Sequence, residues 1–349
     1  MGERQLALSA LSALSALSMP LRVVQFGLGP IGQASARLAL SRPDLQLVGA
    51  LDLDPDRVGK DVGEVLGVEA IGATVRNDAE AALAEWAPDV VLHTTLSFLD
   101  KIEGQLLTCI AAGAHIVSSS EELFWPFQRD ADFCTRVDTA AKEAGVSVVG
   151  TGVNPGFVMD LFPAVLSGVI ASVDRVDVSR SVDAGRRRGP LQKKVGAGLS
   201  VDEFRAKEAA GGFGHIGMVE SGLALAAGFG WDTAEVTETF GPHISDGDYE
   251  TPHASVKQGD VAGIHQTATV TVDGVERATL TLTMAVGAPD EDRVQIQGDP
   301  NLTVVVEGGT FGDTATVAAV VNSAAKVAAA RPGLLTVLDL PAAATNPMG

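Results

Sequence analysis

Cysteine is nearly absent from this sequence: there are two in 349 residues, Cys109 and Cys134. They form neither a C-x-x-C pair nor a metal-ligand spacing. That excludes a secreted disulfide scaffold and gives no metal site, and both residues read as reduced, core-facing thiols. Positive charge is scarce too. Lys and Arg number 25 against 44 Asp and Glu, a formal net charge of −19, which excludes nucleic acid and anionic membrane surfaces as natural partners. No apolar run reaches the roughly 18–20 residues of a transmembrane helix, and a cytoplasmic location is the expectation. The N-terminus lacks the basic region and long apolar run of a signal peptide. Residues Ala7–Ser18 repeat Ala, Leu and Ser, with only Glu3 and Arg4 ahead of them. Residues 1–18 therefore read as a poorly ordered extension, and Met19 directly precedes the first strand.

The composition is globular, with 46% hydrophobic and 20% charged residues. At about 100–200 residues per domain the length suggests two domains. Up to residue 150, strand runs alternate with helical runs. Leu21–Phe26, Leu45–Leu51, Val90–Thr94, His115–Ser118 and Val146–Gly150 read as strands. Ile31–Leu40, Asp78–Trp86, Ile102–Ala112 and Phe133–Ala144 read as helices between them. That alternation is the signature of a parallel sheet with crossover helices.

After Asn154-Pro155-Gly156 the pattern changes. Met159–Leu166, Val201–Ala210 and Gly217–Gly228 read as helices, and Gly185–Gly198 as a basic loop. Val173–Val182, Gln266–Val272, Ala278–Ala285, Arg293–Gln297 and Leu302–Glu307 read as strands of a mainly antiparallel sheet with one covered face. Thr314–Ala330 is a long helix expected to pack back on the first domain. The fold class is thus α/β: a doubly wound Rossmann domain over 19–155, a second α+β domain over 156–312, and a returning segment over 313–335.

Gly27-Leu28-Gly29-Pro30-Ile31-Gly32 fits G-x-G-x-x-G. Alone the pattern is weak, because many such loops are mere turns. Here it follows a strand and opens a helix, and the acidic Asp52 ends the next strand, 25 residues after Gly27. The glycines allow a tight turn, close backbone approach to a pyrophosphate, and close helix–strand packing. The helix N-terminus offers unpaired N–H groups to the phosphates. Asp52 suits the ribose hydroxyls of NAD, whereas Arg57 and Lys60 suit the 2′-phosphate of NADP, so the cofactor is NAD or NADP. Thr94 and Thr95, at a strand's C-terminal end where ligands bind in such sheets, are candidates for the nicotinamide ribose. Ser118, at the next strand end, is another cofactor candidate.

Glu121 and Glu122 follow at the same edge of the sheet. Adjacent acids are commonly a solvated pair, but Phe124 and Trp125 beside them would partly desolvate a carboxylate and move its pKa toward neutral, as general acid–base work requires. On extended chain the two point opposite ways, so one of them faces the nicotinamide. We favour Glu121, and the sequence leaves the choice open. Asn154, at the end of the last Rossmann strand, is placed to bond the nicotinamide amide or a substrate nitrogen. His215, flanked by glycines in Gly211–Gly217, is a further ligand candidate beside its ordinary reading as a structural histidine. Arg186, Arg187, Arg188, Lys193 and Lys194 form a local positive cluster in an acidic chain.

Taken together, Val24-Gln25-Phe26-Gly27, Ser120-Glu121-Glu122-Leu123 with Pro126, Gly152-Val153-Asn154-Pro155-Gly156, Arg187–Gln192, Lys194–Gly198 and Gly214-His215-Ile216-Gly217 with Glu220-Ser221 resemble the native amine dehydrogenases and 2,4-diaminopentanoate dehydrogenases. That family is related in fold to dihydrodipicolinate reductase, and the resemblance spans roughly residues 20–335. It implies reductive amination of a ketone or aldehyde with ammonia and NAD(P)H, the reverse oxidative deamination, and a homodimer built through the second domain's sheet. It also implies a glutamate of the Glu121-Glu122 pair as acid/base. The His-rich segment and Lys of dihydrodipicolinate reductases are missing from Ser179–Arg188. The Glu-Lys-Pro lysine of sugar oxidoreductases is replaced by Glu121-Glu122-Leu123. A simple amine would need an apolar pocket, for which Phe124, Trp125, Phe157, Met159 and Phe162 are the candidates. A diamino acid would need a carboxylate clamp, for which Arg180 and Arg186–Arg188 are available. The apolar pocket is favoured. A 2,4-diaminopentanoate-type dehydrogenase and a non-catalytic NAD(P)-binding sensor are the alternatives.

Overall fold

The computed structural model describes residues 19–345 apart from Gly212 and Ala343. The expected N-terminal extension lies outside the described residues. In chain order the first part contains β1 (Leu21–Phe26), α1 (Pro30–Leu40), β2 (Leu45–Leu51), α2 (Val62–Leu66), β3 (Val75–Arg76), α3 (Ala79–Trp86), β4 (Val90–His93), α4 (Leu99–Ala111), β5 (His115–Ser118), α5 (Glu121–Phe124), α6 (Ala131–Ala144) and β6 (Ser147–Gly150). The second part contains α7 (Leu161–Leu166), β7 (Ser172–Asp183), α8 (Gly189–Lys194), α9 (Val201–Ala210), α10 (Met218–Gly228), β8 (Ala234–Ile244), β9 (Tyr249–Glu250), β10 (Ser255–Val256), β11 (Val261–Val272), β12 (Val275–Ala285), β13 (Glu291–Asp299) and β14 (Leu302–Glu307). The chain then returns with α11 (Gly312–Ala328) and β15 (Gly333–Leu335).

The first sheet has the order β15-β6-β5-β4-β1-β2-β3, and every pairing in it is parallel. Its strands are Val- and Leu-rich and buried on both faces, as a sheet covered on both sides requires. One face packs on α1 and α11, the other on α3, α4 and α6. The second sheet has the order β14-β13-β7-β12-β11-β8. It is antiparallel except where β12 runs parallel to β7. Its inner face, with Val176, Val178, Val270, Leu280, Leu282 and Ile296, packs on Met218 and Leu225 of α10.

Several details differ from the sequence reading. β8 lies in the stretch between Gly228 and Gln266, where no element is read from the sequence. It is an edge strand paired only with β11, and an edge tolerates a proline that donates no hydrogen bond. β15, too short to show a period, extends the parallel sheet beyond β6. The basic loop is a 3-10 turn over Ala184–Arg186 followed by α8. Cys109 and Cys134 are free and buried, as expected, and burial pushes the Cys109 thiol up to about 12. Among the described residues no helix is long and apolar enough to cross a membrane.

His93 ends β4 fully buried. It pairs through Nδ1 with Ser118 Oγ at 2.8 Å and through Nε2 with Gln105 Oε1 at 2.8 Å. Burial pushes its pKa down to about 4. Between that value and the ordinary 6.5 the folded state binds fewer protons than the unfolded chain, so stability falls as pH drops through the window. We expect His93 to account for about 3 kcal/mol of lost stability between pH 6.5 and 4. Thermal melts of wild type and His93→Gln over that range should show a shallower acid dependence in the variant. An unchanged slope would remove His93 as the cause.

Candidate functional site

The Gly-rich turn is built by close backbone approach. A Cβ on Gly32 would lie 1.8 Å from the Gly27 carbonyl oxygen, and one on Gly27, whose φ is +90°, would lie 2.6 Å from the Thr94 carbonyl oxygen. Its own residue and chain neighbours aside, no atom of the described residues lies within 4 Å of a Cβ placed on Gly29. The turn is therefore jammed against the sheet behind and open in front, where α1 begins with Pro30 and no side-chain cap. Gln25, fully buried, braces it by donating to the carbonyls of Gly27 and Leu92 (3.0 Å each) and to Thr94 Oγ1 (2.8 Å). Asp52 accepts the Leu28 N–H at 2.5 Å and the Asp54 N–H at 2.8 Å. Arg57 stands 3.3 Å from both Asp52 and Asp54, while Lys60 reaches out to Glu64 at 3.9 Å. An open cradle of first-turn N–H groups beside a carboxylate fits a dinucleotide pyrophosphate and its ribose.

The cradle opens on a cleft of about 350 Å³ between the two sheets. Gly29, Pro30, Ile31, Thr94 and Thr95 line one side, Glu121 and Asn154 the floor, and His215 the far side. Other expected residues are elsewhere. Ser118 is fully buried under His93, and its neighbour Ser119 lines the cleft instead. Phe124 is in the core of the first sheet with Trp125 packed against that core, and Met159 is in the core of the second. Phe157 stacks on Phe162 beside a separate apolar cavity of about 220 Å³. The expected aromatic pocket is thus absent. The sequence shows apolar residues near the turn, but burial of a sheet face claims them first. In their place Arg180, Arg187 and Lys194 reach the cleft beside Val182, Leu282 and Met284.

Glu121 and Glu122 lie in the first turn of a short helix rather than on extended chain. Glu121 is half-buried, lines the cleft, and has no hydrogen bond or ion pair among the described residues. Glu122 is buried. It accepts the Leu99 N–H at 2.9 Å, at the start of α4, and pairs with Arg129 at 3.0 Å. Arg129 in turn donates to the buried Glu220 on α10 at 2.9 Å. Phe124 and Trp125, expected beside the acids, belong to that core and do not line the cleft.

The far side of the cleft is electropositive. Arg180 bonds Asp292 (3.3 Å) and the Thr310 carbonyl (2.6 Å), and Arg187 bonds Asp313 (2.7 Å). Lys194 has no acidic partner among the described residues. His215 is half-buried, and burial of its ring together with Lys194 and Arg180 pushes its pKa down to about 3, so it is neutral. Its Nε2, and Nε of Arg187, are buried without hydrogen-bond partners among the described residues. Behind Asn154 lies a carboxylate that the sequence reading missed. Asp160 accepts the N–H groups of Gly156 (3.0 Å) and Leu161 (2.7 Å) and the hydroxyl of Ser221 (2.7 Å). Burial raises its pKa to about 6. Its position just before the apolar run of α7, an N-cap site, was the available signal.

Residues 157–347 match the family model described as the 2,4-diaminopentanoate dehydrogenase C-terminal domain, and residues 21–120 match the N-terminus of dihydrodipicolinate reductase. A 2,4-diaminopentanoate dehydrogenase of Acetoanaerobium sticklandii is 32% identical over 92% of this chain and 93% of its own length. The chain belongs to the 2,4-diaminopentanoate dehydrogenase family. An amine dehydrogenase of Streptomyces virginiae is 27% identical over 52% of each chain. The solved amine dehydrogenase of Mycobacterium smegmatis has a TM-score of 0.81 at 26% identity, covering 94% of this chain and 98% of that one. As a member of that family with a Rossmann sheet and its Gly-rich turn, this chain is an NAD(P)-dependent dehydrogenase.

The space around the two glycines separates folding from binding. Gly29→Ala should leave the thermal midpoint unchanged and weaken NAD(P)H binding roughly tenfold or more, since its Cβ enters the cradle. Gly32→Ala should lower the midpoint itself. Fluorescence titration with melting curves checks this. Unchanged affinity in Gly29→Ala would place the pyrophosphate elsewhere.

Proposed function

We propose that this family member interconverts a primary amine with a ketone or aldehyde and ammonia, Glu121 moving the proton. The carrying observation is Glu121 itself: a half-buried carboxylate without a partner among the described residues, opening on the cleft that begins at the Gly-rich turn. A binding-only sensor has no need of such a group. An alkyl ammonium has a pKa near that of Lys, about 10.4, and must lose a proton before its carbon can release hydride. Glu121 takes that proton, leaving a neutral amine whose nitrogen lone pair drives hydride off the carbon and gives the iminium. A bound nicotinamide would supply the acceptor for that hydride. Water then adds to the iminium carbon and ammonia leaves. In reverse, Glu121 delivers the proton that lets water depart. On this reading residues 19–155 with 313–335 bind the cofactor and 156–312 the substrate. The enzyme is cytoplasmic.

A second observation bears on the substrate. Among the described residues Lys194 has no acidic partner and Nε of Arg187 no hydrogen-bond partner, and both residues line the cleft. Two donors there favour an amine that also carries a carboxylate over the purely apolar amine favoured by sequence. Such an amine resembles the diamino acid for which the Acetoanaerobium relative is named. We also propose a homodimer through the bare face of the second sheet. Thr239, Thr267, Thr281 and Ser179 stand there in one cross-strand row that runs on to Arg293, a row of mainly small polar side chains suited to close face-to-face packing.

Glu121→Gln should lower kcat by about 10²–10⁴-fold, the usual worth of general acid–base catalysis, with NAD(P)H affinity retained. Glu122→Gln should retain the chemistry and lower the thermal midpoint. Full activity in Glu121→Gln would overturn the proton-transfer role. Lys194→Met should raise KM about tenfold for an oxo acid, and little for the matching neutral ketone, in ammonia-dependent NAD(P)H oxidation. Equal effects on both would remove the carboxylate contact.

A further inference from the structure

Asn154 lines the cleft, and its side-chain oxygen stands 3.5 Å from Ser221 Oγ. Ser221, on α10, is itself fully buried and lies 2.7 Å from Asp160 Oδ2. Three donors converge on the Asp160 carboxylate: two backbone N–H groups and this hydroxyl. A serine has one hydrogen to give, and a carboxylate is the stronger acceptor. Once that hydrogen is committed to Asp160, Ser221 presents only a lone pair to Asn154. Two oxygens facing each other with no hydrogen between them repel. The two ends of an amide are nearly the same shape, and the surrounding hydrogen bonds decide which end points where.

We propose that Asp160, acting through Ser221, turns the Asn154 amide so that its NH2 donates to Ser221 and its carbonyl oxygen faces the cleft. Asp160 and Ser221 are then positioning residues, and Asn154 offers the cleft an acceptor instead of a donor. The groups that match such an acceptor are N–H donors. A primary ammonium on the substrate is one. The carboxamide NH2 of the nicotinamide is the other. The inference rests on the amine dehydrogenase reading for its substrate side only, because the orientation follows from buried hydrogen bonds within this chain.

The test is a double-mutant cycle with Ser221→Ala and Asn154→Ala, read by kcat and KM for the amine and, separately, by the dissociation constant of NAD(P)H without substrate. Ser221→Ala alone should cost roughly five- to tenfold in one of these, the worth of one oriented hydrogen bond. It should cost nothing more once Asn154 is already Ala. A change confined to amine kinetics assigns the N–H to the substrate. A change in NAD(P)H affinity assigns it to the carboxamide. Thermal melts of each variant separate this from loss of folding, since a merely structural Ser221 would act equally in both backgrounds. Effects that multiply across the cycle, or wild-type behaviour of Ser221→Ala in both readouts, would overturn the proposal. Wild-type protein with no amine turnover but a coupled cycle in NAD(P)H binding would sink the amine reading and leave the orientation standing.

Discussion

The site depends on how tightly backbone is stacked around Pro155. A Cβ on Gly156 would fall 2.1 Å from the Gly152 nitrogen, and one on Gly217 2.3 Å from Pro155 Cδ. No side chain other than hydrogen fits at either place, so the end of the parallel sheet and the entry to α10 are held in direct van der Waals contact. Asn154 and His215, which come from different halves of the molecule, inherit their mutual position from that contact. Asp160 reinforces it by accepting the Gly156 N–H from within the same loop and the Ser221 hydroxyl from α10. A cleft assembled from two sheets keeps a defined shape only if such a joint is stiff, and here stiffness comes from excluded volume.

Charge is distributed against the grain of the composition. The chain carries −19 overall, yet the cleft gathers Arg180, Arg187 and Lys194 around a histidine that burial keeps neutral. Asp292 and Asp313 hold two of those cations in place. A positive well in a negative surface steers anionic ligands inward and repels them elsewhere. Dinucleotide phosphates are of that sign.

Much of the parallel sheet was legible because its signals are local: strand–turn–helix alternation, a Gly-rich turn, and an acid at the next strand end. Glu121 and Asn154 could be singled out because both sit at strand ends on the ligand-binding edge. What escaped was set by tertiary competition. Phe124 and Met159 look like pocket residues until a sheet face needs them for its core. Ser118 looks like a ligand group until a buried histidine needs a partner. Asp160 and Ser221 lie 61 residues apart, and nothing in either segment announces the other. Pro242 is compatible with a strand at a sheet edge, and that edge position cannot be known before the sheet is assembled.

The last strand has a consequence for how this chain is made. β15 pairs with β6, and α11 covers β4 and β5, so the first sheet encloses the second part of the chain as an insertion. During synthesis the N-terminal strands leave the ribosome with their edge bare and one face uncovered. They stay so until more than a hundred and fifty further residues have followed β6. Domains that fold as units during translation close early. This one must wait for its own C-terminus, with the second domain free to form first and hold the ends together.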